Sequence, residues 1–298
     1  MTRRFRTYAQ VEKDTRSAIL EQVQEQRARI ASRMASVGTI VAVASGKGGV
    51  GKSAVTANLA AALAHRNLRV GALDADLNGP SLGRMLGVAN AKLLDSTDGV
   101  TPPAGADGIR VISMDLLQHS GAPLRWRGPG GDSFLWRGAA EAGVLREFLS
   151  DVAWGPLDFL LIDLPPGTDR IERLLELVRP NVVLLVTTPA EMARVVVTRS
   201  ARRLAEARLD RVAIIANMTS FLAADGTIHS LYSSDGARAL AADTGLPIWG
   251  EIPFDPRLAV LTDTGTPIAT ADPLSPASIA FKALAERLVT TLATPLQK

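Results

Sequence analysis

The stretch Gly46-Lys-Gly-Gly-Val-Gly-Lys-Ser53 joins two segments of different pattern. Residues Thr39–Ser45 before it are apolar and β-branched, which predicts a buried strand, whereas Ser53–Ala64 after it is rich in Ala and Leu and predicts a helix. A glycine-rich turn of the form G-x-x-x-x-G-K-[ST] in this position is typical of phosphate-binding loops. Its backbone N–H groups and the start of the helix attract phosphate oxygens. The stretch therefore predicts a nucleotide-binding α/β protein.

Side chains in this loop have separate predicted roles. We expect Lys52 to contact the β- and γ-phosphates and the Ser53 hydroxyl to ligate Mg²⁺. The residues predicted to surround the bound phosphates are Gly46, Lys47, Gly48, Gly49, Val50, Gly51, Lys52, Ser53 and Ala54.

Apolar runs of strand length alternate with helical segments along the rest of the chain. The predicted strands are 39–45, 69–73, 158–162, 182–186 and 212–216, and the predicted helices after the first are 172–178, 191–207 and 276–292. Alternation of this kind predicts a doubly wound, mostly parallel sheet in one α/β domain, residues 38–298. Residues 87–138 contain many Pro and Gly and do not follow this alternation, so they are interpreted as a long irregular segment with one short strand at Ile109–Ser113.

The first 37 residues differ from the rest in charge. They hold eight Lys/Arg and four Asp/Glu, a net charge of +4, whereas the whole chain has a net charge of +3. Apolar residues at helical spacing predict a basic helical extension over residues 1–37; they are Val11, Ile19, Val23, Ile30 and Met34. The helix either lies against the core or docks to a partner or second copy.

Acidic residues follow two predicted strands. Asp74 and Asp76 come after the second strand, and Asp163 ends the run Phe159–Asp163, a Walker B pattern. Since the carboxyl ends of parallel strands meet at one sheet edge, we expect these carboxylates near the phosphates. Asp76 is predicted to bind Mg²⁺ and to orient or deprotonate the attacking water, with Asp74 supporting it, and Asp163 to hold Mg²⁺. Alternatively, these residues cap a helix or a turn.

Three further positions are predicted to contact the nucleotide. Pro165-Pro-Gly167 forms a stiff turn whose Gly167 N–H is expected to sense the γ-phosphate. Asn217 ends a predicted strand and is expected to pair with adenine. Pro253 and Phe254 are expected to wall the adenine.

Composition excludes several functional classes. The chain has 47% hydrophobic and 21% charged residues, which suits a large core, and it contains no cysteine. It therefore supplies no disulfide, no thiolate nucleophile and no cysteine ligand for an iron–sulfur cluster. Without a signal-peptide pattern or an apolar run of membrane-spanning length, the protein is predicted to be cytoplasmic and not membrane-bound.

A second lysine directly after the first loop glycine, Lys47, gives the chain a resemblance to the MinD, ParA, nitrogenase iron protein and Mrp-type branch of P-loop NTPases, the SIMIBI type. The chain is most similar to Mrp-type iron–sulfur cluster carriers. The matching stretches are 45–53, Asp74-Ala-Asp-Leu-Asn-Gly-Pro-Ser81, Trp136-Arg-Gly138, Leu161–Asp169, Asn217-Met218 and Gly250–Pro256. The resemblance implies Mg²⁺-dependent ATP hydrolysis, with ADP as product, in a homodimer where Lys47 reaches the partner subunit's nucleotide and acts catalytically beside Lys52.

The chain departs from these carriers shortly after Asn217. Relatives place a Cys-x-x-Cys pair there, and two subunits share one cluster, whereas Ala223 and Gly226 occupy the corresponding positions here. No cysteine-ligated cluster is therefore expected. The leading hypothesis is a nucleotide-switched dimer that assists assembly or maturation of an unknown client, a metalloenzyme or its assembly factors, through residues 221–234.

The alternative hypothesis is a positioning ATPase of the ParA or MinD kind that binds DNA or another surface when it holds ATP. Arginines concentrated in one region favour this alternative; they are Arg194, Arg199, Arg202, Arg203, Arg208 and Arg211. Neighbouring acidic residues, Glu191, Glu206 and Asp210, favour instead an ordinary solvated helix. A third hypothesis is a non-hydrolysing regulatory subunit, against which Asp76 and Asp163 argue.

Overall fold

The computed structural model describes residues 24–76, 79–119, 141–167, 169–190, 211–223, 225–232 and 236–293, together with Thr198, Leu204 and Leu209. Strands and helices alternate along the chain. The strands are β1 (Val37–Ser45), β2 (Val70–Asp74), β3 (Leu94–Ser96), β4 (Gly99–Thr101), β5 (Arg110–Ile112), β6 (Leu157–Asp163), β7 (Val182–Thr187), β8 (Val212–Leu222), β9 (Ile228–Ser230) and β10 (Ile248–Phe254). The helices span 24–34, Lys52–Ala64, Leu82–Met85, Met114–His119, Glu141–Asp151, Asp169–Leu175, Gly236–Thr244, Arg257–Thr264, Ile268–Ala271 and Pro276–Ala293.

Seven strands form a parallel sheet in the order β10-β8-β7-β1-β6-β2-β5. β9 adds an antiparallel partner to the end of β8, and β3 and β4 form a separate antiparallel pair. From β1 the chain passes to β2 and β5 on one side, returns to β6 beside β1, and continues through β7, β8 and β10 on the other side. The predicted doubly wound, mostly parallel sheet is thus confirmed. In such sheets ligands bind beyond the carboxyl ends of the strands, near the point where the strand order reverses. Here that point lies at β1.

Both faces of the sheet are buried. Along β1, Val41 and Val43 belong to one apolar cluster, while Ala42 and Ala44 belong to the cluster on the opposite face. This two-sided burial is typical of parallel strands covered by helices. The C-terminal helix Pro276–Ala293 covers one face, as predicted, with Phe281, Leu284 and Leu288 buried in the first cluster. Across the part of the chain that the structure describes, no helix is long and apolar enough to cross a membrane.

The helix at residues 24–34 packs on the second cluster through Ile30 and Met34. Its charged face also contacts the core, since Arg29 Nε lies 3.6 Å from Asp151 Oδ1 and Arg33 Nε donates a hydrogen bond to the Ser150 carbonyl oxygen at 3.4 Å. This segment therefore lies against the core. The other apolar residues of the predicted N-terminal helix, Val11, Ile19 and Val23, lie outside the described residues.

Several elements differ from the sequence prediction, and β3, β4 and the helix Met114–His119 all lie in the stretch that was expected to hold one short strand. β8 continues to Leu222, six residues past its predicted end, because β9 folds back onto it. Ile248–Phe254 forms strand β10, which was not predicted because Gly250 and Pro253 weaken the strand pattern. Within it, only Pro253 and Phe254 were predicted, as residues that contact adenine. The short strand expected at Ile109–Ser113 is present as β5 at the edge of the sheet. The predicted helix at 191–207 falls largely outside the described residues, and the two Trp-Arg-Gly copies lie wholly outside them.

Glu147, beside the docked N-terminal helix, is expected to make stability depend on pH. Burial, followed by the negative charge of Asp151, raises its pKa from 4.5 to about 7. Its Oε2 atom is buried without a hydrogen-bond partner among the described residues. Between pH 4.5 and about 7 the folded state therefore holds a proton that the unfolded state releases, and stability falls as pH rises.

We expect Glu147→Gln to abolish this loss. The gain in unfolding free energy is about 1 kcal/mol at about pH 8, less than the full pKa shift implies because the side chain is partly exposed. The gain disappears below the pKa of Glu147 in the unfolded state. Urea unfolding of both proteins at about pH 4 and about pH 8 measures the difference. An equal effect at both pH values would show that the carboxylate does not titrate in this way.

Candidate functional site

The phosphate-binding loop lies at the carboxyl end of β1, between that strand and the helix Lys52–Ala64. Gly49 and Gly51 have φ values of 76° and 81°, a left-handed conformation that side chains with a Cβ rarely adopt. A Cβ added at Gly51 would also overlap the Asn217 side-chain amide. Glycine is therefore required at position 51 for two independent reasons. At Gly48 and Gly49, by contrast, an added Cβ would meet no atom within 4 Å.

Gly51→Ala is expected to weaken ATP binding about 10-fold or more, because the loop must shift away from Asn217 and its N–H groups lose their alignment. Equilibrium binding of a fluorescent ATP analogue measures this change. Gly143→Ala is the matched control: it lies on the helix Glu141–Asp151, where an added Cβ meets nothing within 4 Å. ATP affinity that is the same in both variants would contradict the assigned role of Gly51.

Asp163, at the end of β6, brings the loop side chains together. Its Oδ1 accepts hydrogen bonds from Lys52 Nζ at 2.6 Å and Thr56 Oγ1 at 3.2 Å, and its Oδ2 accepts one from Ser53 Oγ at 2.5 Å. Asp163 is fully buried and Lys52 is 7% exposed. The predicted residues Lys52, Ser53 and Asp163 thus form one cluster, in which Lys52 and Asp163 are buried and Ser53 is half-buried. A serine hydroxyl next to a carboxylate also provides the hard oxygen ligands that suit Mg²⁺.

An open cleft of about 220 Å³ lies above this cluster. Its walls include Asp76, together with Ser81, Met85 and Pro166, which the sequence prediction did not name as site residues. The other lining residues are Ser45, Lys47, Gly48, Gly49, Val50, Gly51, Lys52, Ser53 and Ala54. Asp76 therefore shares a cleft with the phosphate loop, in a place where a carboxylate can reach a water molecule near bound phosphates.

Asp74 lies next to Asp163 in the sheet but is covered by protein. The two residues are register partners in β2 and β6, and Asp74 is 1% exposed. Burial and then the negative charge of Asp163 raise the pKa of Asp74 to about 7, against hydrogen bonds from backbone N–H groups that lower it. Asp74 is not among the residues that line the cleft. The geometry therefore does not support direct contact of Asp74 with Mg²⁺ or water. It favours the alternative in which Asp74 stabilises a turn or caps a helix.

Gly167 lies close to the loop with its N–H already in use. It has a φ of 122° and donates a hydrogen bond to the Ser45 carbonyl oxygen at 3.1 Å. Its neighbour Pro166 lines the cleft. Sensing of a γ-phosphate by the Gly167 N–H stays a prediction, and it requires this hydrogen bond to break.

Asn217, in β8, contacts the phosphate loop directly. Its Nδ2 donates a hydrogen bond to the Val50 carbonyl oxygen at 2.9 Å, and the next residue, Met218, has a left-handed φ of 58°. Such strained backbone is retained where the surrounding structure imposes it, often at functional sites. The sequence motif Asn217-Met218 thus supports the loop in this structure. Adenine pairing by Asn217 stays a prediction.

Pro253 and Phe254 lie at the end of β10 and are not among the residues that line the phosphate cleft. Phe254 is 39% exposed, and its ring centroid lies 6.3 Å from that of Phe221 at a tilt of 58°. Contact of Pro253 and Phe254 with adenine stays a prediction.

The turn between β8 and β9 contains Ala223 and Gly226, the positions at which the family resemblance implies cysteines. The Ala223 N–H donates to the Thr227 carbonyl oxygen at 2.9 Å, and the Gly226 N–H donates to the Ala223 carbonyl oxygen at 3.0 Å. Asp225 Oδ1 accepts the Thr227 N–H at 2.9 Å. The turn closes on itself and offers no thiolate, so its residues do not fit a cysteine-ligated cluster. Of the arginines that favour a DNA-binding hypothesis, only Arg211 lies within the described residues.

A doubly wound sheet with this loop, lysine and carboxylate arrangement defines a P-loop nucleoside triphosphatase. Residues 36–289 match the family described as ParA: NUBPL iron-transfer P-loop NTPase, and the chain belongs to that family. It is 37% identical over 291 residues to an iron-sulfur cluster carrier protein of Deinococcus radiodurans, covering 94% of this chain and 80% of the relative. A second iron-sulfur cluster carrier protein, from Saccharolobus solfataricus, is 34% identical over 274 residues, covering 90% and 89%.

Solved structures show the same fold. A nucleotide-binding protein of Archaeoglobus fulgidus in complex with ADP has a TM-score of 0.66 and 37% identity, covering 80% of this chain and 91% of that one. The cell division ATPase MinD of Pyrococcus furiosus has a TM-score of 0.59 at 24% identity, covering 85% and 99%, a likeness that concerns the fold alone. The predicted resemblance to Mrp-type carriers within the MinD and ParA superfamily is thus confirmed.

Proposed function

We propose that this P-loop NTPase hydrolyses ATP with Mg²⁺, works as a nucleotide-switched homodimer and assists the assembly or maturation of a partner metalloprotein without a cysteine-ligated cluster of its own. The observation that carries the proposal is the convergence of Lys52, Ser53 and Asp163, with Asp76 in the wall of the cleft above them. The carrier relatives support the metalloprotein part of the proposal. The absence of cysteine supports a client role without cluster carriage.

In this mechanism the phosphates bind along the N–H groups of the loop, and Lys52 turns from Asp163 to the β- and γ-phosphates. Ser53 and Asp163 would hold Mg²⁺, which would supply positive charge beside the phosphate oxygens. Asp76 accepts the proton of the water that attacks the γ-phosphate. The stiff turn before Gly167 would then respond to the presence or loss of that phosphate.

Lys47 is proposed to complete the site of a second copy. It lines the phosphate cleft and is half-buried, and its carbonyl oxygen accepts a hydrogen bond from Ser45 Oγ at 3.0 Å, which fixes the backbone at this position. Across a two-fold interface, its ammonium group would meet the partner's ATP. Loss of the γ-phosphate on hydrolysis would weaken this contact and open the dimer.

The mass of the protein in solution tests the switch. We expect ATP–Mg²⁺, but not ADP, to convert a monomer into a dimer. Lys47→Ala should remain monomeric with ATP, whereas Asp76→Asn should stay dimeric for as long as ATP remains unhydrolysed. Lys92→Ala is the control, because Lys92 is an exposed lysine outside the cleft. A mass that ignores nucleotide in all four proteins would contradict the proposed switch.

The client is proposed to bind the β8–β9 hairpin, residues Phe221–Tyr232. Four of the eight exposed large apolar side chains among the described residues lie on the hairpin and its neighbour β10; they are Leu222, Ile228, Leu231 and Phe254. Ile228, at 71% exposed, is the most accessible of these. The ATP-trapped Asp76→Asn dimer serves as one bait, and the same protein with Ile228→Ser serves as the second and should capture less client. In the wild-type background, Ile228→Ser should leave ATP turnover unchanged. Equal capture by both baits would place the client elsewhere.

A further inference from the structure

One buried carboxylate holds both ends of the loop that carries Asp76. Asp74 Oδ1 accepts the backbone N–H of Asp76 at 3.0 Å, and its Oδ2 accepts the backbone N–H groups of Ser81 and Leu82, each at 2.9 Å. Asp76 and Ser81, which both line the cleft, thus donate their backbone N–H groups to the same side chain.

A fourth donor fixes the orientation of this carboxylate. Ser113, at the end of β5, donates its hydroxyl hydrogen bond to Asp74 Oδ2 at 3.1 Å, and both side chains are buried. The donor directly follows β5, the edge strand that neighbours β2, so the position of the carboxylate is set from two sides. Both Asp74 oxygens are therefore occupied by protein donors, on a residue outside the lining of the cleft.

We propose that Asp74 is the positioning residue for Asp76: it holds the Asp76 loop against the sheet and controls turnover without touching nucleotide or Mg²⁺. The inference rests on the proposed role of Asp76 in ATP hydrolysis. An asparagine at position 74 has one oxygen and one NH₂ group, so it accepts hydrogen bonds at only one end of the loop. At the other end its NH₂ group faces a backbone N–H group, and that N–H is left without an acceptor. A base displaced by about 1 Å loses about 100-fold in rate.

The test compares Asp74→Asn with Ser113→Ala and a matched control. For Asp74→Asn we expect kcat to fall about 10- to 100-fold, with ATP affinity and the Mg²⁺ concentration for half-maximal turnover unchanged within about twofold. Ser113→Ala removes one of three donors to Oδ2 and should lower kcat about threefold, again at constant affinity. Asp158→Asn changes a carboxylate at the opposite end of β6, where it binds Arg69, and should leave kcat unchanged.

Each alternative has a different signature. An increased Mg²⁺ requirement in Asp74→Asn would make Asp74 a metal ligand and overturn the inference, as would unchanged turnover. If Asp74→Asn does not fold, unchanged kcat in folded Ser113→Ala overturns it. A parallel loss of ATP binding and kcat indicates a merely structural role and also overturns it. Absence of turnover in the wild type would instead refute the proposed hydrolysis itself, and the inference with it.

Discussion

Lys52→Ala is expected to weaken ATP–Mg²⁺ binding about 100-fold or more and to destabilise the nucleotide-free protein. The binding loss follows from removal of the ammonium group that faces the β- and γ-phosphates. The stability loss follows from Asp163, which is fully buried and whose Oδ1 lies 2.6 Å from Lys52 Nζ. Removing one partner of a buried ion pair costs about 3–5 kcal/mol, because the remaining charge is left uncompensated.

These two effects are measured separately. Calorimetric titration with a slowly hydrolysed ATP analogue gives the affinity, and urea unfolding without nucleotide gives the free energy of unfolding. Lys92→Ala, a substitution of an exposed lysine, should change neither quantity measurably. If Lys52→Ala unfolds at the wild-type urea concentration, the buried ion pair does not contribute as its geometry implies.

Asp76→Asn is expected to lower kcat for ATP hydrolysis about 100- to 10,000-fold while ATP affinity stays within about twofold of wild type. The range is that of losing a positioned general base. Asparagine keeps the shape of the side chain and the acceptor for the Gly79 N–H, which Asp76 Oδ1 accepts at 3.2 Å. The substitution therefore removes the proton acceptor with little disturbance of the loop.

Single-turnover release of inorganic phosphate measures this effect without interference from product release. Asp98→Asn is the matched control, since Asp98 lies exposed in the turn between β3 and β4. Hydrolysis by Asp76→Asn at the wild-type rate would remove Asp76 from the reaction and leave Asp163 as the remaining carboxylate next to the loop. A regulatory, non-hydrolysing function becomes the better explanation if the wild type is equally slow.

The parts of the fold that sequence predicted well are those specified by neighbouring residues. The loop from Gly46 to Ser53, the strand before it and the helix after it each have a local pattern, and the acidic ends of β2 and β6 follow from parallel pairing. The family resemblance added the contact region around Asn217, whose role in holding Val50 could not be read from spacing alone.

What sequence could not provide depends on contacts distant along the chain. Asp74 accepts a hydrogen bond from Ser113, 39 residues later, and this pairing has no local pattern. β10 was missed as a strand because Gly250 and Pro253 lower its propensity, whereas its register with β8 supplies the pairing that overcomes this. Burial of Ile30 likewise decides where the N-terminal helix lies, and amphipathic spacing alone left two options open.

The Lys52–Asp163 ion pair makes nucleotide binding an exchange reaction. The site already contains the counter-charge of its lysine, so incoming phosphates must replace a carboxylate that is held at 2.6 Å in a buried environment. The net affinity is therefore the attraction between the phosphates and the site, reduced by the energy of the ion pair that must be broken. Nucleotide competes for Lys52 with the Asp163 carboxylate, which is always present at a high effective concentration. A ligand whose phosphates bind Lys52 less strongly is therefore released more readily.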